Sequence, residues 1–288
     1  MTRSTVSVIV PFRGGREHAE RLRGSLSGLA LAAGDELIVA DNSDTAVAES
    51  VFGAGAGPGA ALVVAAAGER SSYHARNAGA RSASGRWLLF IDADCVPDGG
   101  ILDAYFQPEP GGAVGALAGT VATDPGQDAF LARYAKDRGF LDQDDGLHTS
   151  ADAAATANLM VRRDAFDAVG GFTEGIRSGG DVDLCRRLVA SGWAIERRSG
   201  ASVQHLHRES LADLMGSIAR YAAGARWLNE RYPGTAERWP LIHGLALCGR
   251  DIALDVVRLR IERAAFRGVD ALGMLAHTVG YSRSNSPG

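Results

Sequence analysis

Four short apolar runs, at 6–10, 36–40, 61–65 and 87–91, constrain what this chain of 288 residues can fold into more than any other feature. Each has the length of a strand. Helix-compatible segments separate them, at about 16–32, between the second and third runs, and at 72–84. Nearly continuous apolar strands alternating with helices form the pattern of a parallel, doubly wound sheet buried on both faces. The expected fold class is therefore α/β, a mainly parallel sheet flanked by helices. In such sheets ligands bind beyond the carboxyl ends of the strands. Pro11-Phe12-Arg13 follows the first run, Asp41-Asn42 the second and Asp92-Ala93-Asp94 the fourth. Three polar groups thus fall on the end where ligands bind.

Composition narrows the function classes. Apolar residues make up 46% and charged residues 22%, ordinary for a chain with a sizeable core. The net charge of −4 gives no overall field for nucleic acid. Cys95, Cys185 and Cys248 are odd in number and widely spaced, which disfavours a disulfide framework or a structural zinc site and suits a reducing cytoplasm. The opening MTRSTVSVIVPF reads as a first strand rather than a signal peptide, and no stretch approaches the roughly 18–20 apolar residues of a membrane span.

Beyond residue 110 the pattern loosens. Val114–Thr123 reads as a strand, and Asp142, Asp144 and Asp145 as part of a polar loop. Ala157–Val161 is strand-like before a helix at 163–169, which Gly170-Gly171-Phe172 ends. Another helix opens at Asp181. A short strand precedes Gln204-His-Leu-His207. A helix from about 209 to 230 stops at Tyr232-Pro233-Gly234, and the stretch from Trp239 to about Thr278 is helical and amphipathic, with the tail Ser282–Gly288 disordered. The expected division is 1–208, with halves 1–110 and 111–208, followed by a helical extension at 209–288. The arginines of that extension suit either contact with an anionic membrane or a helical cap and homodimer surface.

Asp92 and Asp94 carry the sharpest chemistry. Residues at i and i+2 of a strand end point the same way, and two such carboxylates repel unless a cation lies between them. Oxygen ligands of this kind suit Mg²⁺ or Mn²⁺, whose remaining positions go to phosphates and water; a solvated turn is the plainer reading. Asp181 follows Gly179-Gly180 at a helix start, where backbone N–H groups and the dipole favour a carboxylate. Its plain reading is a helix cap. His205 and His207 alternate and share a face if the strand continues, as further metal ligands or as strand-end packing.

Val8-Ile-Val-Pro-Phe12, Ile38-Val-Ala-Asp-Asn-Ser43, Ala75-Arg-Asn-Ala-Gly79 and Phe90-Ile-Asp-Ala-Asp94 occur in that order. Thr156-Ala-Asn-Leu-Met-Val161 with Gly170-Gly171-Phe172, and Gly180-Asp-Val-Asp-Leu184, follow. Together they resemble family 2 of the inverting glycosyltransferases, which have the GT-A fold. The resemblance spans about residues 5–210 and implies sugar transfer from a nucleotide-diphosphate donor, with a UDP-sugar expected, to an acceptor hydroxyl that the sequence does not name. It implies that Pro11, Phe12 and Arg13 line the nucleotide pocket and that Asp41 bonds the nucleobase. Arg76 would lie at the diphosphate, and Asp92, Ala93 and Asp94 would hold donor and metal, with His205 ahead of His207 as a further ligand. Asp181 would be the base, with Asn158, Gly179, Gly180 and Asp183 on the acceptor side and Asp183 the reserve base. The chain departs from the family at Ala40 and Gly180, where acidic residues are usual. Ala223-Gly-Ala-Arg-Trp227 lacks the glutamine of the motif found in polymerising members, so one or a few additions are expected, with Arg226 and Trp227 covering the site.

Two other readings remain at this level. A nucleotidyltransferase would show a lysine near the Gly14-Gly15 turn, where this chain has none. An inactive nucleotide-sugar-binding module would have no need of Asp92, Asp94 and Asp181 together.

Overall fold

The computed structural model describes residues 3–53, 60–139, 154–207, 210–236 and 238–287. The expected acidic loop at Asp142, Asp144 and Asp145 lies outside them. The first half runs β1 (Val6–Phe12), α1 (Arg16–Leu26), β2 (Glu36–Asp41), α2 (Val47–Phe52), β3 (Leu62–Ala65), α3 (Ser72–Ser82), β4 (Trp87–Ile91), β5 (Cys95–Pro97) and α4 (Ile101–Tyr105). The second runs β6 (Val114–Thr123), α5 (Phe130–Asp137), β7 (Asn158–Arg162), α6 (Arg163–Ala168), α7 (Gly180–Ala190) and β8 (Ala194–His205). Helices α8 (Leu211–Arg231), α9 (Leu241–Val257) and α10 (Ile261–Tyr281) complete the chain.

One sheet of eight strands holds the molecule, in the order β3-β2-β1-β4-β7-β6-β8-β5. The first four strands are parallel, as their apolar runs require. The rest is mixed: β7 runs antiparallel to both β4 and β6, β8 is parallel to β6, and β5 antiparallel to β8. The expected halves 1–110 and 111–208 share this sheet: β5 from the first closes its far edge beside β8.

The pleat sorts the side chains. Val6, Val8, Val10, Leu37, Val39, Leu89 and Ile91 face α1, α2 and α4 in one buried layer. Ile9, Ile38, Leu88, Phe90, Leu159 and Val161 face α3, α6 and α7 in the other. Each such fully buried side chain contributes about 1.5–3 kcal/mol.

Two expectations need correction. β8 is twelve residues rather than a short strand; its Glu196-Arg197-Arg198 and Ser-Gly stretches hide the apolar alternation. The C-terminal stretch is helical as expected, in two helices with a turn at 258–260, where Leu259 has φ +55°. The tail is not loose: Arg177 N donates to Asn285 O at 2.9 Å, and Asn285 Nδ2 to Ser178 O at 2.9 Å. Those two bonds fasten the chain's end to the segment leading into α7.

Candidate active site

Asp41 and Asn42 close β2 beside β1. Asp41 is buried and accepts from the backbone N–H groups of Ser43 and Ala48, so both its oxygens already hold the turn into α2. Asn42 Nδ2 donates to the carbonyls of Ala66 and Glu69, and Asn42 N to Phe12 O at 2.7 Å. The Phe12 ring is core, leaving its backbone and the partly exposed Pro11 toward the open end. Arg13 and Arg70 both reach Asp44, at 3.7 and 3.1 Å. Arg70 was missed in the sequence because nothing periodic marks a loop arginine.

Helix α3 begins at an N-cap, Ser71, whose hydroxyl accepts from Tyr73 N and donates to Ile176 O. That cap aims Arg76 inward. The Arg76 guanidinium is buried over the rings of Tyr73 and Phe172, 5.4 and 5.8 Å from their centroids. It donates to Ser72 Oγ and pairs with Asp92, and its Nε has no partner among the described residues.

The carboxylates of Asp92 and Asp94 do not point the same way, as strand alternation suggests they would. The chain turns after Ile91, with Cys95 N bonded to Asp92 O, and this turn sends the two carboxylates to different neighbours. Asp92 meets Arg76, whereas Asp94 Oδ2 lies 3.4 Å from His205 Nε2. β5 pairs Cys95 with His205, so donor atoms of Asp94, Cys95 and His205 all fall within 4.8 Å of one another. The carboxylate oxygen fits Mg²⁺ or Mn²⁺, and the imidazole nitrogen suits the softer Mn²⁺ better than Mg²⁺. The thiol fits neither well, and burial, with Asp92 and Asp94 adding to it, pushes Cys95 well up and keeps it protonated. His205 Nδ1 is buried, with no partner among the described residues. His207 falls outside the group. Its Nε2 lies 3.0 Å from Thr123 Oγ, and burial beside His205 lowers it to about 4, so it is neutral near pH 7.

The acceptor side rests on the start of α7. Gly179 has φ +85°, and a Cβ there would lie 2.9 Å from Leu228 of α8. A Cβ on Gly180 would lie 2.8 Å from the Tyr73 ring. These close approaches set the next residue, Asp181, half-buried beside Tyr73, Arg76 and Asp92. Burial raises its carboxyl above the usual aspartate value, against the opposing bond from Val182 N and the charge of Arg76. Tyr73 was not singled out in the sequence, although it lies three residues before Arg76 on the same helical face.

Two expected acceptor-side residues are structural. Asn158 is 0% exposed; it donates to Thr120 O and Ala201 O and accepts from the Tyr105 hydroxyl, so it locks β6, β7 and β8 and has no group left for a ligand. Asp183 is also 0% exposed and is held by Thr173, Arg187, Arg231 and Tyr232 at 2.7–2.9 Å. Burial alone would raise it, but the bonds from Thr173 and Tyr232 and the Arg187 charge outweigh burial and lower it. It is therefore no reserve base. Trp227 packs on the layer containing Tyr73 and Ile176, while Arg226 pairs outward with Glu230.

Residues 7–224 match the profile described as glycosyltransferase like family 2. A pre-mycofactocin glycosyltransferase of Mycobacterium tuberculosis is 29% identical over 233 residues, covering 79% of this chain and 48% of that protein. Glycosyltransferase AglE of Haloferax volcanii is 32% identical over 128 residues, 44% of this chain and 41% of that one. The chain thus spans about half the length, or less, of the curated relatives it matches. In structure, a mannosyltransferase from Pyrobaculum calidifontis solved with GDP-Man and Mn²⁺ superposes with a TM-score of 0.65 at 18% identity, over 97% of this chain and 87% of that one. Glucosyl-3-phosphoglycerate synthase from Mycobacterium tuberculosis, solved with Mn²⁺, UDP and glucosyl-3-phosphoglycerate, gives a TM-score of 0.53 at 20% identity, over 79% of this chain and 80% of that one.

Proposed function

The chain belongs to glycosyltransferase like family 2, and from that premise we propose that it transfers a sugar, with inversion, from a UDP-sugar to an acceptor hydroxyl. One observation carries this reading: Arg76, Asp92, Asp94, His205 and Asp181, from four separate parts of the chain, converge at the carboxyl end of β4. The structural relatives were solved with nucleotide sugars or UDP and Mn²⁺, which supports the same donor class and metal here. Asp94 and His205 would hold the ion, and a bound Mg²⁺ or Mn²⁺ supplies charge stabilisation to the departing diphosphate. Arg76, with a spare N–H and a guanidinium fork, would leave Asp92 for the phosphate oxygens or bridge the two.

Asp181 would accept the acceptor's proton as its oxygen attacks the anomeric carbon and the bond to the diphosphate breaks on the opposite face. A carboxylate raised by burial is a stronger base than a solvated one, and such general base catalysis contributes typically about 10²–10⁴-fold. The acceptor lies against Gly179, Gly180 and Tyr73, with Trp227 behind. Ala223 in place of glutamine supports one or a few additions rather than polymerisation. The described chain has no helix long and apolar enough to cross a membrane.

Calorimetric titration with UDP and GDP, each with Mn²⁺ and with EDTA, tests the reading. UDP should bind more tightly than GDP, only with the metal, and not to Asp94→Ala. Equal UDP binding in EDTA, or unchanged binding by the variant, would remove the metal assignment; tighter GDP binding would replace the donor.

A further inference from the structure

The turn joining α9 to α10 is unlike the rest of the surface. Val257, Leu259 and Ile261 are 82%, 84% and 62% exposed, and Leu254 and Val256 beside them are also exposed. Large apolar side chains scattered singly on a surface are ordinary, but a run of five within eight residues marks a contact surface. Arginines alternate with them at 258 and 260, and Arg263 follows one turn into α10. Among the described residues no acidic group pairs with Arg258, Arg260 or Arg263; Glu262, the acid between them, is taken by Arg133 at 2.8 Å. Asp255 is buried and Asp251 is paired with Arg250.

The backbone supplies a second observation. Leu259 has φ +55°, the left-handed region where glycine is favoured after a helix end. The chain keeps there a leucine that is 84% exposed.

We propose that the α9–α10 turn inserts into the interface of an anionic lipid bilayer. Val257, Leu259 and Ile261 enter the boundary between headgroups and acyl chains, and Arg258, Arg260 and Arg263 meet lipid phosphates. A protruding tip with no groove of its own suits a deformable surface better than a folded partner. A two-fold contact with another copy of this chain would set the unpaired arginines against one another, and like charges in an interface repel. Contact through the tip alone is reversible, since the turn is far too short to span.

Co-sedimentation of the full chain with vesicles tests this. The protein should pellet with phosphatidylcholine vesicles containing phosphatidylglycerol, weakly with phosphatidylcholine alone, and less as salt rises. Arg258→Gln and Arg260→Gln should each weaken binding to anionic vesicles about fivefold. Val257→Glu should abolish it. Leu259→Gly should also weaken it while raising the melting temperature, because glycine relieves the backbone; misfolding cannot produce that combination. UDP binding should be unchanged in all four. No pelleting with anionic vesicles, or equal pelleting of Val257→Glu and wild type, overturns the proposal. So does a dimer in light scattering that Val257→Glu dissolves when vesicles bind neither protein.

Discussion

At the scale of single residues the site is a set of carboxylates given different work by their neighbours. Asp41 is tied by two backbone N–H groups, Asp92 by Arg76, Asp94 by His205 and Asp183 by four side chains. Asp181, among the described residues, has no cationic side chain bonded to it, and burial raises its carboxyl. The sign of that shift makes a paired prediction. An acid whose folded value is raised resists ionisation, so its charged form works against stability at neutral pH. Asp181→Asn keeps the bond from Val182 N, and it should therefore melt at a higher temperature than wild type at pH 7. The gain should shrink as pH falls into the carboxylate range, where the wild-type group protonates. The same change should lower turnover by roughly 10²-fold or more with UDP affinity little altered. In wild type, the acid limb of the turnover profile should lie above about 4, the ordinary aspartate value. Near-normal transfer by the variant would leave Asp181 a purely structural residue of the first turn of α7, whose N-cap is Gly179.

Asp183 makes the opposite case. Its folded value is lowered, so its contribution is present at neutral pH and is lost as pH falls through and below the ordinary aspartate range. Breaking a buried charge network by removing one member typically destabilises by about 3–5 kcal/mol. Asp183→Ala should show a loss of that size in urea unfolding at pH 7, with a smaller difference from wild type at pH 3. If the loss is absent at pH 7, Asp183 does not anchor the start of α7.

Elements matter here mainly through what they hold still. The segment between α6 and α7 carries no regular structure of its own, yet it must present Asp181. It is pinned on three sides: by Ser71 Oγ on Ile176 O, by Gly179 against Leu228 of α8, and by Asn285 on Arg177 and Ser178. Asn285→Ala removes one of the two tail bonds and should destabilise by about 1 kcal/mol. Its larger effect should be on turnover and on acceptor KM, because the tail positions Asp181's approach without touching the donor. UDP affinity equal to wild type with a raised acceptor KM is the expected result; wild-type kinetics would show that the tail is only attached, not positioning. Gly179→Ala tests the α8 side. It meets both a positive φ and Leu228 at 2.9 Å, and a non-glycine residue held in such a conformation costs on the order of 1–3 kcal/mol.

At the scale of the whole molecule, the sheet argues against independent halves. β4 hydrogen-bonds to β7 and β8 to β5, so each half completes the other. Helices α5, α8 and α10 add a smaller shared layer through Leu131, Tyr134, Leu214, Met215, Phe266 and Val269. Thermal unfolding should therefore be one transition for the sheet, and UDP with Mn²⁺ should move all of it upward, since a ligand that binds only the native state stabilises whatever unfolds with its site. Two sheet transitions, of which only one responds to ligand, would show that the two halves unfold separately.

The sequence by itself determined the parallel half of the sheet, because strands buried on both faces must be apolar throughout and helices between them must be amphipathic. It determined that polar groups gather at the carboxyl ends of β1, β2 and β4, and the order of its motifs pointed to the family. Those are consequences of local composition and period. The antiparallel half was less legible: β8 carries Arg198, which reaches the carbonyls of Tyr105 and Pro108, so its polar residues are satisfied by partners some 90 positions away that no local pattern records. Only the tertiary structure decided which carboxylate does what. Asp92 and Asp94 look equivalent in the chain and part company because the turn after Ile91 points one at a helix and the other at a distant strand. Asp181 and Asp183 are two residues apart on one helix, yet the first meets Tyr73 and the second Tyr232 and Arg231. A side chain's ionisation depends on its neighbours in space, and the fold alone assigns those neighbours.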